Sequence, residues 1–259
     1  MNAEKRQQAI IDAVARQGRV SVVGLAADHG VTVETIRRDL AVLDRVGALR
    51  KVHGGAVAAT LALPETAVAE REHLAAPAKQ AIAARALAAL LDSATLSRGS
   101  TLILDAGTSV GALARILPED LGLTVLTSSV LTAARLAGRA GVTVRVLGGE
   151  VRGITQAAVG PEALSALGRL RVDLAVMGTN GLSAEHGLST PDPDEAAVKT
   201  AMVRAARRVV VLADATKIGQ EHLVSFADLT DVDLLVTDAV PATALSHRLT
   251  DSGTEVLTA

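Results

Sequence analysis

Residues Val20–Val57 read VSVVGLAADHGVTVETIRRDLAVLDRVGALRKVHGGAV, and this stretch decides the fold of the first part of the chain. Ser21 is placed to N-cap a short helix and Gly30 to end it in a left-handed C-cap. Thr32 then caps a second helix after a turn of about three residues, the spacing of a helix-turn-helix. In the second helix Val33, Ile36, Leu40 and Leu43 recur at helical steps and form one buried stripe. Thr35, Arg37 and Arg38 fall off that stripe and face outward, and Thr and Arg are residue types that reach phosphates and guanine edges. The run from Leu49 to Val57 predicts a tight hairpin turning at Gly54-Gly55 and carrying Arg50, Lys51 and His53. A basic hairpin directly after a recognition helix is a wing; without it, the two helices would be an ordinary pair with a solvated face.

Upstream, residues 3–17 predict a helix with Ile10, Ile11 and Val14 turned inward, which completes a head of 58 residues. That head carries 9 Lys and Arg against 6 Asp and Glu, +3, whereas the remainder carries −5, within a total of −2. A basic head on an acidic body suits a protein whose head alone meets a polyanion. The chain has no Cys, Trp or Tyr, and Phe226 is the single aromatic residue. Disulfides, thiolate metal sites and Cys nucleophiles are therefore excluded, as is stacking of bases on aromatic platforms. The six His show no HxxxH or HExxH spacing, so no metal site is expected. The first residues lack a signal-peptide apolar region, and no apolar run reaches membrane-spanning length, so a cytoplasmic protein away from membranes is expected.

Residues 59–77 contain two prolines and no clear period, and read as a linker with one short helical piece. Ala78–Leu91 is helical in pattern. Beyond it, short apolar runs alternate with helical stretches: 101–105, 124–127, 142–147, 172–177, 208–213 and 233–237. This rhythm predicts an α/β domain over 78–259 with a mainly parallel sheet. Nearly every run ends in Gly, Ser, Thr or Asp, and open α/β sheets bind ligands at the carboxyl ends of their strands. Gly107, Thr108 and Ser109 lie between a strand and a helix start, where amides, hydroxyls and the helix dipole can cradle a phosphate. Ser128 and Ser129 repeat the arrangement one strand over. Lys217 follows Asp214 in another strand-end loop and can supply a positive charge. Glu195 and Lys199 stand at i, i+4, the spacing of an ordinary surface pair, and Arg152 follows the double glycine Gly148-Gly149.

Taken together, these residues resemble the DeoR family of bacterial transcription regulators. The resemblance rests on IRRDL (36–40) and HGGAV (53–57) in the head. In the body it rests on LDAGT (104–108), TSS (127–129), LGG (147–149), Val159-Gly160, MGTNG (177–181), Gly187 with Thr190, Val198-Lys199, LAD (212–214) and Lys217-Ile218-Gly219. It departs from the family at Ser128 for a usual Asn, at Ile218 for a common Phe, and at Gly24 for a frequent Glu, which removes one helix cap. The resemblance implies a winged-helix head and a body like the ribose-5-phosphate isomerase and coenzyme A transferase fold, sensing a phosphorylated sugar. It implies a repressor of a carbohydrate-use operon, needing no cofactor and assembling as a homo-oligomer, dimer or tetramer, on double-stranded operator DNA.

The expected DNA-binding residues are Ser21, Thr32, Thr35, Arg37, Arg38, Arg50, Lys51 and His53. In the body a phosphate is expected on Gly107, Thr108 and Ser109, with Lys217 as counter-charge. Asp105, Asn180 and Glu195 are expected on sugar hydroxyls, Arg152 or Lys199 as a second positive contact, and Ser128, Ser129, Gly149 and Gly181 around them. The competing expectation is a sugar-phosphate isomerase with an appended head. Isomerisation needs a general base, and the loop Gly178-Thr179-Asn180-Gly181, where the resembling isomerases carry Asp, holds no carboxylate.

Overall fold

The computed structural model describes residues 3–17, 19–45, 48–52, 54–58 and 66–259. The chain forms two compact units, Met1–Glu65 and Thr66–Ala259.

The first unit contains α1 (Ala3–Gln17), β1 (Arg19–Ser21), α2 (Val22–His29), α3 (Val33–Arg45), β2 (Leu49–Val52) and β3 (Gly55–Ala58). Ser21 Oγ accepts the Gly24 N–H at 2.9 Å, so the helix keeps this cap although Gly24 offers no carboxylate in return. Gly30 adopts φ 61° as the left-handed cap of α2, and Thr32 Oγ1 accepts the Thr35 N–H at 3.2 Å to open α3. Ile36, Leu40 and Leu43 meet Ile10, Val14, Leu25 and Leu49 in one core, with Val33 partly buried beside them.

The strands pair antiparallel in the order β1-β3-β2. Val52 pairs with Gly55, so the turn precedes Gly55 and the two glycines serve different needs. Gly54 takes φ 79°, whereas Gly55 lies in β3, where a Cβ would stand 2.0 Å from the Val20 carbonyl oxygen of β1.

Arg6 and Asp39 form a buried charged pair inside this unit. Asp39, on α3, is buried and accepts from Arg6 Nε at 2.6 Å and from Gln7 Nε2 at 2.9 Å. Burial alone would raise this carboxyl; the hydrogen bonds from Arg6 and Gln7, with the Arg6 charge, outweigh it and hold the group below the usual carboxylate range. A depressed carboxylate stabilises the fold above its unfolded value of about 3.9 and loses that contribution as pH falls through the lower folded value. Amide exchange of α1 and α3 should therefore accelerate at the acid end of a titration. Asp39→Asn should remove that acid limb while weakening the unit at neutral pH; an unchanged acid limb in the variant would assign the transition to another group.

The second unit begins with α4 (Val68–His73) and α5 (Ala76–Asp92). Residues 66–77, expected as linker, thus belong to the body, while 59–65 lie outside the described residues. Pro77 misleads because it sits in the first turn of α5, where its missing N–H would lack a partner in any case.

The core sheet comprises β4 (Thr101–Leu104), β5 (Leu123–Thr127), β6 (Val142–Val146), β9 (Val172–Gly178), β12 (Ala206–Leu212), β14 (Leu234–Thr237) and β15 (Glu255–Thr258). Its order is β15-β14-β12-β9-β4-β5-β6 and all its pairings are parallel. The helices are α6 (Thr108–Ile116), α7 (Val130–Leu136), α8 (Pro161–Leu167), α9 (Pro193–Ala205) and α10 (Thr243–Asp251).

Alternate residues feed opposite faces. Leu102, Leu104, Leu174 and Val176 enter the core that includes Ile82, Val110 and Leu113, whereas Ile103, Ala175 and Met177 enter the core of Met202 and Phe226. Five short strands stand outside this sheet: the hairpin β7 (Glu150–Arg152) and β8 (Ala157–Val159), and an antiparallel sheet of β10 (Gly181–Ser183), β11 (Gly187–Thr190) and β13 (Val224–Ala227). From β4 the chain steps outward to β5 and β6, and from β9 it steps the other way to β12. The strand order therefore reverses between β4 and β9, and a crevice is expected at their carboxyl ends.

Candidate functional site

A cleft lies at that reversal. It is lined by Gly107, Thr108 and Ser109 after β4, by Gly178, Thr179 and Asn180 after β9, and by Asp214 and Lys217 after β12; Arg71, Lys79 and Lys199 also reach it. Gly107 begins α6 without any side-chain cap, so the first-turn N–H groups and the positive end of the helix dipole remain available. Ser109 is buried and its hydroxyl has no partner among the described residues. Lys217 ends a 3-10 turn, Ala215–Lys217, that Asp214 caps through the Thr216 N–H at 3.0 Å.

Beneath the cleft, Asp105 and Lys199 form a fully buried ion pair. Asp105 also accepts the Ala106 N–H at 2.8 Å and the Gly178 N–H at 2.9 Å, which ties β4 to β9 at the reversal. Burial raises the Asp105 carboxyl, and the Lys199 charge opposes that rise. Lys199 donates to Gly178 O at 3.2 Å, stands 3.9 Å from Glu195 Oε1 and lies 5.3 Å from the Phe226 ring centre. Glu195 pairs in turn with Arg152, which also meets Asp192 at 3.2 Å.

This geometry corrects two expectations. Glu195 and Lys199 are not a surface pair, because both are buried in the charged chain that runs from Asp105 to Arg152. Asp105 does not line the cleft: it is buried beneath it, with one oxygen accepting from Ala106 and the other from both Gly178 and Lys199.

The expected residues thus divide. Gly107, Thr108, Ser109, Asn180, Lys199 and Lys217 share one cleft, with Asn180 Oδ1 accepting from Thr190 Oγ1 at 3.1 Å. Ser128, Ser129, Gly149, Arg152, Gly181 and Glu195 are not among its lining residues. Ser129 Oγ caps α7 through the Thr132 N–H at 3.1 Å, and the buried Ser128 Oγ has no partner among the described residues. Gly149 and Gly181 answer to close backbone approach: a Cβ on them would stand 2.1 Å from Val159 O and 2.4 Å from Gln220 O. Sequence reading misses Arg71 and Lys79. Their signal was two cations in an alanine-rich segment, with nothing local to say that they face a ligand cleft.

In the first unit, Arg37 and Arg38 are exposed on α3 and Thr35 is half-buried. Arg37 meets Glu34 only through an exposed contact at 3.7 Å, which holds it weakly. The hydroxyls of Ser21 and Thr32 are engaged as helix caps. Arg50 and Lys51 lie on β2, and His53 falls outside the described residues.

A DeoR-like helix-turn-helix domain matches residues 6–61 and a DeoR C-terminal sensor domain matches residues 75–239. The chain is 35% identical over 253 residues to the HTH-type transcriptional regulator GlpR of Haloferax volcanii, covering 98% of this chain and 96% of that one. It is 29% identical over 255 residues to the glycerol-3-phosphate regulon repressor of Escherichia coli (strain K12), covering 97% of each. Among solved structures, ribose 5-phosphate isomerase A of Neisseria gonorrhoeae aligns at 12% identity with a TM-score of 0.35, over 56% of this chain and 53% of that one. With a DeoR-like helix-turn-helix domain in the head, a DeoR sensor domain over the body and relatives that are named transcriptional regulators, the chain belongs to the DeoR family of DNA-binding transcription regulators rather than to the enzymes.

Proposed function

We propose that this chain is a homo-oligomeric repressor of a carbohydrate-use operon, acting in the cytoplasm and released from its operator by a phosphorylated sugar bound in the body cleft. The observation that carries the ligand class is the convergence, in one cleft, of the uncapped start of α6, the unpartnered hydroxyl of Ser109 and the Lys217 side chain. Lys217 forms no ion pair among the described residues. A tetrahedral dianion satisfies all three at once. The Escherichia coli relative, named for a glycerol-3-phosphate regulon, supports a phosphorylated metabolite as the signal. An isomerase has less to work with, because Asp105 lies buried outside the cleft lining in an ion pair with Lys199, and Asp214, which lines the cleft, caps its own turn.

Arg37 and Arg38 contact operator bases or phosphates, with Thr35, Arg50, Lys51 and His53 beside them, and Ser21 and Thr32 hold the helix starts at the DNA. Duplexes obtained by in vitro selection should carry two half-sites about 34–36 Å apart, or a multiple, as a two-fold assembly requires. On such a duplex, saturating effector should weaken operator affinity by about 5–150-fold, equivalent to about 1–3 kcal/mol, and operator must weaken effector binding by the same factor. Lys217→Ala should bind the duplex like the wild type and fail to respond to the effector at wild-type concentrations. Equal effector affinity with and without the duplex would sink the switch.

A further inference from the structure

Among the described residues three polar ties hold α4, and none of them uses the side chain that α4 sends into the cleft. At its start, the Val68 N–H donates to Ile154 O, beside the β7–β8 hairpin, at 2.8 Å. On its flank, Glu72 pairs with Arg115 of α6 at 3.0 Å and with Arg135 of α7. At its end, Lys79 Nζ donates to the carbonyls of Arg71 and Leu74 at 2.7 and 2.6 Å.

Arg71 itself lines the cleft together with Gly107, Thr108, Ser109 and Lys217. Its Nε is buried and finds no partner among the described residues. A buried N–H without an acceptor is costly, and the guanidinium fork matches phosphoryl or carboxylate oxygens two at a time. The nearby carboxylates do not fill that role: Asp105 is held by Lys199, and Asp214 caps its own turn. The acceptor that fits is an anion at the start of α6.

Position gives this arginine a second importance. α4 is the first element of the body, and the chain that precedes it leads directly to the head. We propose that Arg71 is the anion-reading residue of the cleft, and that α4 is the element through which occupancy by a phosphoryl group is passed to the chain entering the head. The proposal rests on the phosphate reading of the cleft given above. An anion at the α6 start draws in the Arg71 guanidinium. Lys79 is drawn by the same charge while it holds the last carbonyls of α4. The helix is then fixed against α6 by a bond that the empty cleft lacks, and the Val68–Ile154 and Glu72 ties settle around a new position.

Amide exchange of the full chain tests this with inorganic phosphate and, separately, with glycerol 3-phosphate. In the wild type, exchange should slow about 5-fold or more, the lower end of ordinary coupling, in two segments, 107–111 and 66–75. A response to glycerol 3-phosphate at lower concentration than to phosphate assigns the site to an esterified ligand, and the reverse assigns it to the free ion; both support the anion-reading role. In Arg71→Ala, residues 107–111 should still respond at higher ligand concentration while 66–75 stay silent. Arg71→Lys, which keeps the charge without the fork, should respond at 107–111 with a reduced effect at 66–75, and it decides the matter if the alanine variant does not fold. A full response of 66–75 in Arg71→Ala, an unchanged ratio of the two responses in Arg71→Lys, or a wild type that responds only at 107–111 would overturn the role of Arg71 and leave the phosphate site standing. Silence of both segments with both ligands in the wild type would remove the phosphate site and the proposal together.

Discussion

Lys199→Met will lower the stability of the body by about 3–5 kcal/mol, the usual consequence of leaving one member of a buried ion pair without the other. The substitution removes the counter-charge of Asp105, which is 1% exposed, and the cation that Glu195 and the Phe226 ring also face. For a unit of this size the loss corresponds to a melting shift of roughly 6–20 °C. The sign with pH is specific. Burial already raises Asp105, and without the opposing Lys199 charge its folded pKa rises further. A carboxyl raised in the folded state binds more protons there than in the unfolded chain, so stability falls as pH climbs from about 3.9, the unfolded value, through the folded one. The deficit of Lys199→Met against the wild type should therefore be smallest near pH 4 and grow toward neutrality. A deficit that does not vary with pH would show that packing around Lys199 matters and its charge does not.

Replacing both Arg37 and Arg38 by alanine should have the largest effect on DNA binding. Each guanidinium that reads a base contributes about 1–3 kcal/mol, so the pair is expected to cost about 2–6 kcal/mol if both do so, a loss of thirtyfold or more. Both side chains are exposed and neither belongs to the core of the head, so the melting of the head should stay within about 0.5 kcal/mol of the wild type. Fluorescence anisotropy on a selected duplex at fixed salt measures the first quantity, and amide exchange of α3 the second. Affinity within threefold of the wild type would move the recognition surface off this helix.

The parts of the chain legible in the sequence are those whose local pattern has one physical cause. The six apolar runs all enter the central sheet; in β4, β9, β12 and β14 consecutive apolar residues face cores on both sides of it, whereas the edge strand β6 alternates and is largely exposed. Ser21, Gly30 and Thr32 were legible because caps use few residue types. The short strands β7, β8, β10, β11, β13 and β15 were not, because Gly, Ser, Glu or Arg interrupts the apolar pattern in most of them. Glu195 and Lys199 were misjudged because i, i+4 spacing is the same on a wet face and a buried one. What buries them is α9 being covered by the central sheet on one side and by β11 and β13 on the other. Arg71 and Lys79 reach the cleft only because α4 and the start of α5 pack onto the sheet ends, a placement made by contacts distant in the sequence.

The strand order has a consequence for how the protein comes into being on the ribosome. The head's last strand ends at Ala58, so all of its partners exist once that residue has emerged. The sheet centre must wait, because β4 cannot meet β9 until Gly178 is made, and the edge closes only when β15 is added at Thr258. At about 5–20 residues per second, translation of the intervening two hundred residues takes on the order of 10–40 s. For that interval each nascent chain has every strand of its head but not yet the centre or the edge of its sensor sheet.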